Sequence, residues 1–239
     1  MAGDGTFQIR KGDYRKRLIE FLEHELNLPP KLVAWVRENL KYIEIGLIVF
    51  IVVLLSWTGL DYYHQNRLIN SSNALTAARA KDDETARRDM MKKVADRYSG
   101  TASGTWAAIY LANDSFAKGE FAEAAVAYQA ILDKISSDDP ARLPVAYRLA
   151  LTLENNGKSG DALEIYRSLA GEKGFVYLAN LSAGRLLEAS GDKSAALAAF
   201  RAALDGVPAG SGEHDFLTIK VADLEKEGAG KAVVKPPVE

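Results

Sequence analysis

A run of apolar residues near the amino terminus dominates the hydropathy pattern of this chain. From Ile45 to Leu60 there are 16 residues without a formal charge, and as a helix they would cover about 24 Å. Extended from Tyr42 to Tyr63, the helix would be about 33 Å long, close to the hydrocarbon thickness of about 30 Å of a bilayer. Trp57, Tyr62 and Tyr63 lie where an interfacial aromatic belt is expected. The pattern predicts a transmembrane segment at residues 42–63.

Two other interpretations of this segment are a buried core helix and a cleaved signal peptide. A soluble core helix normally keeps a polar face, whereas this segment is apolar all round. In a signal peptide the charged region would have to extend over the whole of 1–41, and no small-x-small cleavage site follows the apolar segment. We therefore interpret the segment as a retained signal anchor.

The charges that flank the segment predict its orientation. Residues 1–41 carry eight lysines and arginines, whereas residues 61–80 carry two, Arg67 and Arg79. The eight are Arg10, Lys11, Arg15, Lys16, Arg17, Lys31, Arg37 and Lys41. The positive-inside rule then places the amino terminus in the cytoplasm and residues 61–239 on the other side.

The segment before the anchor, residues 1–41, has a short helical pattern of its own. Within residues 13–26, apolar side chains recur at spacings of three and four, and Asp13 is in position to cap a helix. They are Tyr14, Leu18, Phe21, Leu22 and Leu26. The sequence "NLPPK" then interrupts the helix, and Pro30 favours a new start. Two alternatives are open: a basic amphipathic helix on the inner leaflet or a membrane partner, or a juxtamembrane helix without specific packing.

Beyond the anchor, residues 111–132, 149–170 and 183–204 share one pattern. In each, a glycine follows a small residue by seven positions and precedes an alanine by five and an aromatic residue by nine. The residues are Ala112, Gly119, Ala124 and Tyr128, then Ala150, Gly157, Ala162 and Tyr166, then Gly184, Gly191, Ala196 and Phe200. The interval between successive glycines, from 119 to 157 and from 157 to 191, is nearly constant. Three matches in register make coincidence improbable.

Each position in this pattern has a physical role in a pair of antiparallel helices. The glycine ends the first helix in a left-handed conformation that other residues adopt at a steric cost. The small residues allow close helix crossing, and the aromatic residue fills the space towards the next pair. We predict helix pairs at about residues 105–138, 143–174 and 177–208, with an insertion at "ISSDDPARLP" in the first.

The flanks of the repeats are also predicted to be helical. Residues 64–80 continue the anchor helix, and residues 82–100 form a helix that ends at Gly100. Residues 214–227 form a capping helix with Phe216, Ile219 and Leu224 on roughly one face. The tail at 227–239 is predicted to be disordered.

Composition argues against catalytic and nucleic-acid-binding functions. The chain has no cysteine, a formal net charge of −2 and three histidines, His24, His64 and His214, which lie too far apart in the pattern to share a metal. No glycine-rich phosphate loop is present. A pI near 6.0 provides no electrostatic basis for nucleic-acid binding. We expect no enzyme activity, cofactor or metal site.

The pattern of small and aromatic residues resembles the tetratricopeptide repeat, in which helix pairs stack into a superhelix with a concave groove. The tryptophan, tyrosine and glycine typical of its first helix are mostly replaced here. The resemblance implies an all-α fold: one amino-terminal transmembrane helix, then a solenoid of helical hairpins at residues 64–226 with a carboxy-terminal capping helix.

The order of these parts, together with "HQNRLINSSNALTAA", "GTWAAIYLANDSFAKGEFAEAAVAY" and "FLTIKVADL", is similar to the YfgM family of bacterial inner-membrane proteins. This resemblance, over roughly residues 42–226, implies a periplasmic domain and an ancillary subunit of the SecYEG translocon. It implies partners such as a PpiD-type membrane-anchored chaperone and exported client chains. The alternative is a scaffold for outer-membrane or cell-wall assembly machinery.

The resemblance to tetratricopeptide repeats also implies which residues line a partner-binding groove, since the first helix of each pair faces it. The candidates are Trp106, Ile109, Asn113 and Phe116 in the first repeat, Tyr147, Leu151 and Asn155 in the second, and Leu178, Leu181 and Arg185 in the third. For the apolar candidates, a core position is the competing interpretation. Trp106 and Tyr147 are favoured as groove residues because aromatic residues with a polar edge suit interfaces.

Overall fold

The computed structural model describes residues 13–24 and 29–232, and every regular element in these ranges is an α-helix. The ten helices are α1 (Asp13–His24), α2 (Pro30–Arg79), α3 (Glu84–Arg97), α4 (Ala102–Ala117), α5 (Phe121–Leu132), α6 (Arg142–Asn155), α7 (Ser159–Leu169), α8 (Val176–Ala189), α9 (Lys193–Leu204) and α10 (Gly212–Ala232). The chain divides into two compact units, one ending at Asn66 and the other beginning at Arg67.

In the first unit, α1 lies beside the first turns of α2. Proline stands at the first position of α2, as its missing N–H allows, and the N–H of Leu32 donates to the carbonyl of Pro29 at 2.9 Å. The guanidinium of Arg37 bonds the Glu23 carboxylate at 3.2 Å, so α1 makes a specific contact. Phe21 of α1 stays half exposed. The predicted helix end at 25–26 lies outside the described residues.

The apolar segment forms the middle of α2, a continuous helix of 50 residues. None of its most apolar stretch is buried within the chain, and Trp57 is 76% exposed. A core helix would pack these side chains against other elements, so the structure does not support that interpretation. One amino-terminal helix is thus long and apolar enough to cross a membrane.

In the second unit, the helix pairs follow the predicted pattern. Gly119, Gly157 and Gly191 end the first helices with φ of +78°, +77° and +86°, a region that favours glycine. The alanine five residues after each glycine is fully buried. The aromatic residues after them are Tyr128, Tyr166 and Phe200, all with at most 1% exposure. These repeated contacts form the core of the unit.

A further helix pair precedes the three predicted ones, formed by the end of α2 and by α3. Asp83 caps α3, accepting a bond from the N–H of Ala86 at 2.7 Å. The guanidinium of Arg67 donates to the carbonyls of Arg97 and Ser99 at 3.3 and 3.0 Å. This pair extends the row of helices ahead of residue 105.

The last helix, α10, packs with a different face from the predicted one. Leu217 and Leu224 are buried, whereas Phe216 and Ile219 are 54% and 64% exposed. The prediction was wrong because contact with α9 selects the buried face: Leu217, Val221 and Leu224, which pack in the cluster around Phe200, fall within an arc of about 60°, while the chosen set spans about 140°. The helix also continues to Ala232, past its predicted end at residue 227. The rest of the predicted tail lies outside the described residues.

Candidate functional site

The first helices of the three pairs, α4, α6 and α8, lie side by side and form one surface, which we call the first-helix face. The guanidinium of Arg148 on α6 lies 6.0 Å from the ring centre of Phe116 on α4. The hydroxyl of Tyr147 on α6 is 3.4 Å from that of Ser182 on α8. Glu154 of α6 pairs with Arg185 of α8. These contacts fix the spacing between neighbouring first helices.

A furrow of about 360 Å³ opens at the amino-terminal end of this face, between α2 and α4. It brings together three of the predicted groove residues with four others. The lining residues are Leu75, Arg79, Met91, Trp106, Ile109, Tyr110 and Asn113. Trp106 is 57% exposed and offers most of its indole to solvent, while Ile109 is only 9% exposed and belongs to the core beneath. The furrow is large enough for one or two side chains of a bound polypeptide.

Asn113 and Phe116 continue the face along α4. The hydroxyl of Tyr128 donates to the Asn113 side-chain oxygen at 2.7 Å, so this bond uses only the acceptor end of the amide. Burial raises the pKa of Tyr128, and the positive charge of Arg148 opposes that rise. The Phe116 ring packs edge-on against Phe121, 5.3 Å between centres. Both candidates therefore have structural contacts as well as partial exposure.

In the second pair, the three candidates differ in exposure. Tyr147 is partly buried between the rings of Tyr166 and Phe175, with centres 5.7 and 5.9 Å away. Leu151 is partly buried. Asn155 is exposed, and its amide donates to the carbonyl of Leu151 at 2.7 Å.

In the third pair, Leu178 is 38% exposed, and Leu181 packs on the carboxy-terminal core cluster. Arg185 is held against Glu154, which also accepts a bond from the Tyr166 hydroxyl at 3.0 Å. Burial, and secondarily the charge of Glu154, raises the pKa of Tyr166 well above its usual range. The positive charge of Arg185 is therefore already paired with the carboxylate of Glu154 on the neighbouring helix α6.

Sequence reasoning missed Arg148, Tyr110 and the contribution of α2. Arg148 lies on the first-helix face and faces Phe116. Tyr110 accepts a bond from Arg87 at 2.7 Å and forms one wall of the furrow. Leu75 and Arg79 were overlooked because the predicted repeats began at residue 105. The helical pattern of residues 64–80 was the available signal, since a helix before α4 must pack beside it.

A larger furrow, of about 570 Å³, lies on the side of the second helices, between α3 and α5. Its floor consists of small and apolar residues, and its rim carries charges of both signs, Arg88, Lys92 and Lys134 against Asp89, Asp96 and Glu123. Among the described residues that line it, none is aromatic. Because its rim carries charges of both signs and no aromatic side chain lines it, this furrow is a weaker candidate for a binding site than the first-helix face.

Within the ranges that the structure describes, no three metal-binding side chains converge. The titratable groups with shifted pKa values are surface or structural. Hydrogen bonds to Asp114 and Glu84 raise the pKa of the exposed Lys118, and a hydrogen bond from Ser136 lowers the pKa of Asp138. The first-helix face has the chemistry of a polypeptide-binding surface: aromatic rings, amides and a guanidinium.

Comparison with known proteins agrees with this architecture. The family model of the tetratricopeptide repeat-like domain matches residues 33–226. The chain belongs to this family. Proteins with this fold typically act as interaction scaffolds, since stacked helix pairs create extended binding surfaces.

Among solved structures, the chain is similar to a putative kinesin light chain with nearly identical TPR-like repeats from Podosopora anserina. The identity is 14%, the TM-score is 0.49, and the match covers 70% of this chain and 88% of that one. No curated protein matches the chain.

Proposed function

We propose that the protein is a membrane-anchored adaptor that binds polypeptide segments on its first-helix face. The observation that carries the proposal is the furrow beside Trp106, where a half-exposed indole meets Tyr110 and Asn113. An apolar side chain of a bound segment fits this furrow. The Asn113 amide and the Arg148 guanidinium supply polar contacts along the same face.

We further propose that α2 is a retained signal anchor in the inner membrane of a bacterial cell. Eight basic residues in 1–41, against two in 61–80, support a cytoplasmic amino terminus. The repeat domain then lies in the periplasm. Attachment to the membrane raises its effective concentration near partners in the same bilayer.

Within that compartment, we propose a role beside the SecYEG translocon in protein export. The support is the similarity in sequence and domain order to the YfgM family, whose members pair with a PpiD-type chaperone. Partners would be translocon subunits, that chaperone and exported chains, and the role requires no catalysis.

Site-specific photocrosslinking in living cells tests these proposals together. A photoreactive amino acid replaces Trp106 in one version of the full chain and Leu178 in another. The matched control replaces Val126, which is 72% exposed on α5 and lies on the opposite row of helices. We expect crosslinked proteins at 106 and 178 and few at 126. Equal labelling at all three positions would contradict binding at the first-helix face.

The identity of the crosslinked proteins separates the two functional alternatives. Translocon subunits, a membrane-anchored chaperone and nascent exported chains support the export role. Outer-membrane or cell-wall assembly factors would replace that role with a scaffold in envelope assembly, while leaving the binding surface itself intact.

A further inference from the structure

We propose that the outward face of α10 pairs with the same helix of a second copy, in antiparallel orientation. Asp215, Ile219, Ala222 and Lys226 follow one another at spacings of four, three and four. At 3.6 residues per turn they fall within an arc of about 60°, on the side opposite the buried Leu217 and Leu224. We call these four residues the seam of α10. Their spacing is the one at which two helices pack side by side.

The exposure of this seam is unusual for the end of a solenoid. Terminal helices of repeat arrays normally present a polar outer surface. Here Ile219 is 64% exposed and the adjoining Phe216 is 54% exposed, whereas the inner side of α10 is fully packed on α9. The outward side of α10 therefore exposes two large apolar side chains, Ile219 and Phe216, beside the partly buried Ala222 and between charged residues.

The positions of the charges in the seam favour an antiparallel pair of two copies over a parallel pair. A two-fold axis between residues 220 and 221 places Ile219 opposite Ala222 of the other copy, so a large side chain meets a small one twice. The same axis places Asp215 opposite Lys226, again twice. A parallel pair would instead set Asp215 against Asp215 and Lys226 against Lys226, which is repulsive.

Both charges are available for this contact. In the described part of the chain, the Lys226 ammonium group has no ion pair or hydrogen bond, and the Asp215 carboxylate has only the neighbouring His214 nitrogen at 3.9 Å. The Asp215 side chain is 74% exposed. A single helix pair buries less area than a standard interface, so we expect a weak dimer that forms at high protein concentration.

Charge reversal tests the pairing and its register. The variants are Asp215→Lys, Lys226→Asp and the double variant of the full chain in detergent micelles, compared with the unaltered chain by sedimentation velocity. Each single reversal places like charges opposite each other and should weaken dimerisation by about tenfold or more. The double variant restores opposite charges and should return to within about threefold of the unaltered chain.

The rescue is specific to contact between copies. Residues 215 and 226 are about 16 Å apart along one helix, so they cannot pair within a chain. At about 100 µM even a weak dimer should be populated. An unaltered chain that is monomeric at this concentration would therefore overturn the proposal. A dimer unaffected by either single reversal, such as one held by α2, would also overturn it, as would a double variant no better than the singles.

Chemical crosslinking provides a second readout that does not depend on charge. Because the sequence contains no cysteine, Ile219→Cys and Ala222→Cys chains can be mixed and treated with a short bismaleimide. We expect a crosslinked dimer between the two, and none from Val126→Cys chains, although Val126 on α5 is 72% exposed and so more open to solvent than either position. Equal crosslinking at position 126 would argue against the α10 contact.

Discussion

At the residue scale, Gly184 shows how the repeated pattern is adjusted to its aromatic residue. A Cβ at this position would lie 2.7 Å from an edge carbon of the Phe200 ring. The equivalent residues in the other pairs are Ala112 and Ala150, both fully buried. The third pair thus uses the only residue type that leaves the ring in place.

Gly184→Ala should therefore destabilise the protein by about 1–3 kcal/mol, because the phenylalanine ring must shift within a packed core. The measurement is chemical unfolding followed by circular dichroism. The matched control is Gly160→Ala on α7, where a Cβ meets nothing within 4 Å; we expect it to be neutral or stabilising by up to about 1 kcal/mol. Equal effects of the two substitutions would contradict this explanation.

Tyr166 is a residue whose titration has a predictable effect on stability. Its pKa is raised by burial and by Glu154, so below about pH 10 both folded and unfolded chains keep the phenolic proton. Above that pH the unfolded chain loses the proton while the folded chain keeps it. Unfolding then releases a proton, and stability falls by up to about 1.4 kcal/mol per pH unit for this group.

Tyr166→Phe should remove this part of the alkaline loss of stability. Phenylalanine already occupies the equivalent position 200, so the ring itself is compatible with the fold. At neutral pH we expect a cost of about 0.5–1.5 kcal/mol from the lost bond to Glu154. Unfolding free energies at neutral pH and above pH 10 check this, and an unchanged slope in the variant would show that another group is responsible.

At the scale of the element, α10 shows which information a helical pattern lacks. Phe216, Ile219, Leu217, Val221 and Leu224 give the helix apolar residues on most sides, and the pattern alone does not select the buried set. Contact with α9 selects it, since Leu217 and Leu224 enter the cluster around Phe200.

Two substitutions on opposite faces of α10, at positions 217 and 219, test the orientation of the helix. Leu217→Ala removes a fully buried side chain and should destabilise by about 2–5 kcal/mol. Ile219→Ala removes an exposed one and should change the stability of the isolated chain by less than about 0.5 kcal/mol. Thermal unfolding at low protein concentration gives both values. If Ile219→Ala destabilised the protein more than Leu217→Ala, the face predicted from the sequence would be the buried one.

At the scale of the whole molecule, the division at residue 66 separates the apolar segment from the repeat domain. All four hydrophobic clusters of the described chain consist of residues after 66, including the one in which Ala78 of α2 contacts Met91, Val94 and Ala107. The domain therefore holds its core without the apolar segment, but it needs the last turns of α2.

A fragment of residues 67–239 should fold and stay in solution, while the full chain should float with membranes. A second fragment that begins at residue 84 loses the buried Ala78 and the Arg67 bonds, so it should unfold at a lower temperature. Circular dichroism and membrane flotation measure these properties. A 67–239 fragment that floats with membranes as fully as the full chain would show that α2 is not the anchor.

The sequence by itself determined the all-helical fold, the long apolar helix and the registered helix pairs. These depend on local rules: apolar length, left-handed glycines at helix ends, and small and aromatic residues at fixed spacings. It also predicted Trp106 and Leu178 as groove residues, and the structure shows that both side chains are exposed.

Only the tertiary structure decided which apolar side chains are buried and which are presented. Ile109 and Trp106 lie close together on one helix, yet one is core and the other is surface. The furrow depends on α2, and the exposed seam of α10 depends on how that helix turns on α9. Each is settled by contacts between elements, which no local pattern contains.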